Sequence, residues 1–323
     1  MNWMRVGAAA LATGACALLV ACGSGVVSDL DFQKGTQLRS DPSSEQGRIL
    51  VVGDDFSDFG QNGYVYSVND GSRNWIQQLA HHYGVTIKTQ ADGGWGYAQG
   101  QARVDSPDTT SGTSAPSVKE QVTQLLADAR PLRKNDVVFI NGGMWDIVDS
   151  VEAHGSVDAP VVVNEVKAAA KALAGQVLRL LDAGAGHVAV TGVYDLGTSL
   201  WASPRSKPRE GGKITDLSIA FNDQLQLVLV DEGDSVIYLD AAQFYRFVYD
   251  DDKRERFGVT NVNDKACGST PVENCNPGNA AADYNKYLFA DALHFTPYVW
   301  RLFGSDDAGE NAYQRFSDRW GRP

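Results

Sequence analysis

Arg48-Ile49-Leu50-Val51-Val52 is an apolar run of strand length, and Gly53-Asp54 breaks it into a turn. A strand that stops so abruptly hands its next side chain to the carboxyl edge of an open sheet, where α/β proteins place their ligands. That side chain is the carboxylate of Asp55. Two further stretches could reach the same edge. Gly93-Gly94-Trp95-Gly96-Tyr97-Ala98-Gln99-Gly100 concentrates glycine, which suits either a flexible surface loop or a backbone that must pass close to something. Residues 136–141 read as a buried strand running into Gly142-Gly143-Met144-Trp145-Asp146, where the Trp145 indole offers an N–H donor. Near the other end, Asp291-Ala292-Leu293-His294 sets a carboxylate three residues before an imidazole. A carboxylate, an imidazole and N–H donors gathered at one sheet edge would make proton transfer and anion stabilisation available.

The intervening sequence supplies the elements that must gather them. Residues 74–83 have helical spacing, with apolar side chains at 75, 76, 79 and 83 and Gly84 as the stop. Residues 85–88 read as a second strand. Ser117 and Glu120 form a capping box that opens a helix running to 129. A long helix is expected over 161–183 and another over 216–230, the latter with Leu217, Ala220, Phe221, Leu225 and Val228 inward. Strands at 187–193 and 236–240 follow their helices. This alternation predicts an α/β fold, a parallel sheet with helices on both faces. No internal repeat and no boundary for a second domain are visible.

Taken in order, the segments resemble the conserved blocks of the GDSL (SGNH) esterase and lipase family. Residues 53–58 resemble block I, G-D-S-L-S-D, with Asp55 at the position of the nucleophilic serine. Residues 93–104 resemble block II, with Gly100 matching a glycine whose N–H helps form the oxyanion hole, Gln101 in place of the glycine after it and Gly96 in place of the asparagine. Residues 142–146 resemble block III, with Trp145 at the asparagine and Asp146 kept. Residues 291–294 resemble block V, D-x-x-H, in which the histidine is the general base and the aspartate orients it. The resemblance covers roughly 48–303. It implies a three-layer, flavodoxin-like sheet, a catalytic set of Asp55, Asp291 and His294, an oxyanion and substrate site at Gly100 and Trp145, and no cofactor or metal.

The substitutions alter the chemistry. Asp55 and Asp291 on either side of His294 favour the imidazolium, and a charged histidine is a poor base. Carboxylate attack on an ester would give an anhydride, and the charge of Asp55 sits where an oxyanion would develop. The expectation is an exported esterase homologue with impaired or lost activity that serves as a binding or accessory lipoprotein. The alternatives are an active hydrolase in which Asp55 attacks a saturated carbon or orients a water, with Ser57 as a weaker displaced nucleophile. A dead cleft held by an Asp55–His294 ion pair is the bland reading.

Residues 1–21 read as an export signal, and Leu19-Val20-Ala21-Cys22 resembles a lipobox, which implies lipidation of Cys22. Gly23, rather than aspartate, after Cys22 suggests the outer membrane. Residues 22–46 are polar and are expected to be a tether without packed structure, leaving a single domain over 47–323. Cys267 and Cys275 are expected to form a disulfide, since no C-x-x-C or neighbouring histidine supports zinc. The net charge of -12 argues against nucleic acid as a partner. A small ester or lipid-like ligand and the membrane, through the anchor, are the expected partners.

Overall fold

The computed structural model describes residues 30–41, 45–106, 115–129, 131–202, 211–250 and 254–321. The signal, Cys22 and much of the polar segment after it lie outside these residues. Four strands form the central parallel sheet: β2 (Ile49–Val52), β4 (Val137–Asn141), β5 (His187–Thr191) and β6 (Val236–Leu239), in that order across it. Register pairs Ile49 with Val137, Val137 with His187 and Val188 with Val236. Both faces of β2 and β4 are buried, which is why these strands read as continuous apolar runs.

Helices cover both faces. On one side, α2 (Val118–Ala129), α4 (Pro160–Asp182) and α5 (Gly211–Val228) pack together, with α3 (Met144–His154) against α4. On the other lie α1 (Trp75–His82), α7 (Pro297–Gly304) and α8 (Ala312–Trp320). The capping box of α2 is present: Glu120 N–H donates to Ser117 Oγ at 3.2 Å, and Ser117 N–H to Glu120 Oε2 at 2.8 Å. The long helix α4 buries Val162, Val166, Leu173, Val177 and Leu180, the face its period predicts. In α5, Leu217, Phe221 and Leu225 are buried but Val228 is exposed and Leu229 takes its place, because the helix ends there.

Three expectations need correction. The segment from 30 to 41 is not a tether: Phe32 is fully buried, and β1 (Gly35–Thr36) pairs in parallel with β3 (Val85–Thr86). The Gln37 side chain holds Ile49 N–H at 2.9 Å, so the packed domain begins before residue 47. The strand near 85 consequently pairs with β1 rather than joining the central sheet. Its place beside β2 falls to the glycine-rich segment: Val51 N–H donates to Trp95 C=O at 3.0 Å and Tyr97 N–H to Val51 C=O at 2.7 Å.

Beyond β6, α6 (Ala241–Tyr249) leads to a small parallel pair, β7 (Asn261–Lys265) and β8 (Tyr287–Phe289). The Cys267–Cys275 disulfide closes the loop between them. Cys267 N–H donates to Ala290 C=O at 2.8 Å, so this loop braces the chain just before Asp291.

Candidate active site

Asp55 follows β2 directly, and the turn that presents it is held from several sides. Ser57 and Asp58 N–H both donate to Asp54 C=O at 3.0 Å. The buried amide of Gln121, on α2, takes Gly53 N–H at 2.8 Å and donates to Gly53 C=O at 2.9 Å. A side chain at Gly53 would collide with the Asn141 amide, so the chain must pass this point as glycine. Asn141 in turn donates to Asp54 Oδ1, which also takes Phe56 N–H at 3.0 Å. Phe56 anchors the turn in an aromatic cluster with Trp75, Tyr245, Phe295 and Phe303.

The histidine comes from the other side of the same cluster. Phe295 stacks on Tyr245 at 3.9 Å between centroids, and Ser67 Oγ donates to Phe295 C=O at 2.6 Å. Tyr194 Oη donates to Leu293 C=O at 2.6 Å. Asp291 Oδ1 accepts the N–H groups of Leu293 and His294, both at 2.8 Å, and its Oδ2 lies 2.9 Å from His294 Nδ1.

These supports converge on one contact set. Asp55 has no exposed surface. Its Oδ2 accepts Gln101 N–H at 3.0 Å and the indole N–H of Trp145. Its Oδ1 lies 3.3 Å from His294 Nε2. The latter contact is an ion pair without hydrogen-bond alignment, and both atoms lack any other partner. Tyr66, itself buried, lays its ring 5.2 Å from the imidazole and fills the space where a Gly100 side chain would stand.

The structure brings Asp55, Asp291, His294 and Trp145 into one contact set, with Gly100 beside them. Gly100 needs correction as an N–H donor toward the site: its N–H is held by Asp58 Oδ2 at 2.9 Å. The donor is the next residue, Gln101, held at φ +66°, a left-handed conformation uncommon outside glycine. The other oxygen of Asp58, Oδ1, takes Gly60 and Gln61 N–H at 2.9 Å, which fixes the carboxylate that reaches Gly100. Ser57 is buried in the turn, and among the described residues no hydrogen bond joins it to His294. Trp201 donates its backbone N–H to Ala292 C=O at 2.9 Å and its indole N–H to Glu152 Oε1 at 3.1 Å.

Electrostatics follow from burial. His294 loses solvation, which opposes its charge, but Asp291 beside Nδ1 and Asp55 beside Nε2 outweigh this and push it up to about 10. Burial raises Asp54 to about 7, helped by the charge of Asp55, and burial raises Asp58 and Asp146 each to about 6. Each of these groups binds its proton more tightly folded than unfolded, where carboxyls titrate near 4 and histidine near 6.5. Their stabilisation is complete below the unfolded values. It is lost as pH rises through the folded ones, between about 4 and 7 for the carboxyls and between about 6.5 and 10 for His294. Asp291 acts oppositely: despite burial, His294 holds its carboxyl below the usual range, and that share is lost only in acid. The expected outcome is a melting temperature that falls steadily from pH 5 to pH 9, read by thermal unfolding in a series of buffers.

A void of about 10 Å³ lies beside Asp55 and His294, walled by Phe56, Met144, Tyr194 and Leu293. That is room for one water at most. Asp55 thus sits on two N–H donors and beside an imidazole flanked by a second carboxylate.

The GDSL-like lipase/acylhydrolase family model matches residues 49–305. The chain belongs to that family. No curated protein sequence matches it. Among solved structures, the GDSL chain resembles an acetyl xylan esterase from Geobacillus stearothermophilus, at 11% identity over 84% of this chain and 98% of that one, with a TM-score of 0.43. It also resembles an extracellular lipase from Streptomyces rimosus, at 16% identity over 62% of this chain and 82% of that one, with a TM-score of 0.38. A third likeness is to an α/β hydrolase from the metagenome of Lake Arreo, Spain, at 13% identity over 85% and 94% of the two chains, with a TM-score of 0.45. The family match covers every element that frames this GDSL site, from β2 through α7.

Proposed function

We propose that this GDSL-family chain is an exported carboxylic-ester hydrolase homologue that has lost most of its esterase activity and acts as a binding or accessory lipoprotein. The observation that carries this reading is the seat of Asp55. Its Oδ2 occupies the N–H donors of Gln101 and Trp145, the groups that would otherwise receive a developing oxyanion. The family's serine would leave those donors free and would meet a neutral imidazole. Here the imidazole is charged at neutral pH. Attack by Asp55 on a saturated carbon is the weaker reading, because Oδ2 is already held by two N–H donors. Export and lipidation at Cys22 rest on the pattern of residues 1–23, with the outer membrane as the destination.

The test is hydrolysis of a short-chain nitrophenyl ester by the native protein beside Asp55→Asn. Equal, near-background rates support the reading. A native rate that disappears in Asp55→Asn would establish Asp55 as a working nucleophile or base and overturn it.

A further inference from the structure

We propose that the outer edge of β6 is a docking site for an extended basic polypeptide, which adds a strand to the sheet. A groove of about 650 Å³ runs along this edge, within the range of ligand sites, and shares no lining residue with the void at Asp55. The proposal is therefore independent of what Asp55 does.

The backbone carries the argument. β6 ends the strand order, so one of its edges has no neighbouring strand among the described residues. Val188 N–H donates to Ser235 C=O at 2.8 Å. In the parallel register this turns the hydrogen-bonding groups of 235, 237 and 239 toward β5, and those of 236, 238 and 240 outward. Val236 N–H is taken by Glu232 C=O at 2.9 Å, and Asp240 C=O by Phe244 N–H at 3.2 Å. No backbone bond among the described residues reaches the outward N–H and C=O of Tyr238. An edge residue with both backbone groups unpaired is a point at which another strand can add. Tyr238 and Asp240 line the groove together with Gln226, Gln243 and Gln314 of the flanking helices, and the Gln243 amide is a donor and acceptor for an incoming main chain.

Charge selects the occupant. Among the described residues that line the groove, Asp240, Glu310 and Asp318 are acidic and Arg315 is basic. A segment rich in lysine or arginine complements it. A second copy of the chain does not, since a two-fold contact would set the same carboxylates against each other.

Fluorescence anisotropy with a labelled octapeptide of alternating lysine and valine tests this on the purified protein. The controls are the glutamate-for-lysine peptide and a lysine–valine peptide N-methylated at alternate amides. The lysine–valine peptide is expected to bind at least about tenfold more tightly than either control, a difference of about 1.4 kcal/mol. Glu310→Lys is expected to weaken it while leaving the melting temperature unchanged, and bound peptide is expected to protect the Tyr238 amide from hydrogen exchange. Absence of binding, equal binding of the N-methylated peptide, or a dimer in sedimentation that Glu310→Lys disrupts would each overturn the proposal.

Discussion

Asp55→Ser is expected to hydrolyse short-chain nitrophenyl esters about 10²-fold faster than the native protein. Three changes at one position combine. The carboxylate leaves the Gln101 and Trp145 N–H groups, so they can receive an oxyanion; one such donor is worth about 10²–10³ in rate. His294 loses one of the two carboxylates that hold it protonated, so its pKa falls toward the working range of a general base. A hydroxyl on the same β carbon then replaces the carboxylate that faces Nε2. The expected gain is kept to the low end because two bulky rings, Tyr66 against the imidazole and Trp145 against residue 55, stand at the site. Trp145→Phe in the same background keeps a ring but removes the indole N–H, and should take back most of the gain. Rates from both variants and the native protein, measured across pH 6–9, check this. A gain that Trp145→Phe leaves untouched would mean the indole is not an oxyanion donor.

Asp136→Ala is expected to lower the unfolding free energy by about 3–5 kcal/mol, the range for breaking a buried ion pair by removing one partner. Arg48 and Asp136 are both buried, and their bidentate contact spans 2.6 Å at Nη2–Oδ2 and 3.1 Å at Nε–Oδ1. Asp136 also takes the backbone N–H of Arg48 and Arg133, both at 2.8 Å. The guanidinium bonds further to Ala129 and Pro131 C=O and lies 4.9 Å from the centre of the Trp95 ring. Removing the carboxylate leaves a buried cation and two orphaned amides at the start of β2 and β4. Denaturant unfolding reads the loss. A joint change to Arg48→Met and Asp136→Leu should recover much of it, because no charge then stays buried alone.

The sheet edge and its main side chains were legible because their signals are local. An apolar run broken by Gly53-Asp54 fixes where Asp55 emerges, and the 3.6-residue period of α4 fixes its buried face. The capping box at Ser117 and the Cys267–Cys275 pair are likewise short-range patterns. What escaped depends on distant partners. Phe32 is one aromatic in a polar stretch, and only its packing against Tyr83 shows why it is buried. Gln101 could not be separated from Gly100 as the donor, since that choice rests on Asp58 capturing the Gly100 N–H from 42 residues away. Tyr66 carries no motif at all; its role is set by a ring contact with His294, far along the chain. A strand at 85–88 was legible as an element, while its partner in the N-terminal segment was not.

The most direct measurement is the indole N–H resonance of Trp145 in a proton–nitrogen correlation spectrum of the native protein and of Asp55→Ser. Asp55 Oδ2 on that N–H should hold the native signal far downfield and slow its exchange with water, and Asp55→Ser should move it upfield and release it. A native signal at an ordinary indole position, unmoved by Asp55→Ser, would contradict the claim that Asp55 occupies the donors of its own site.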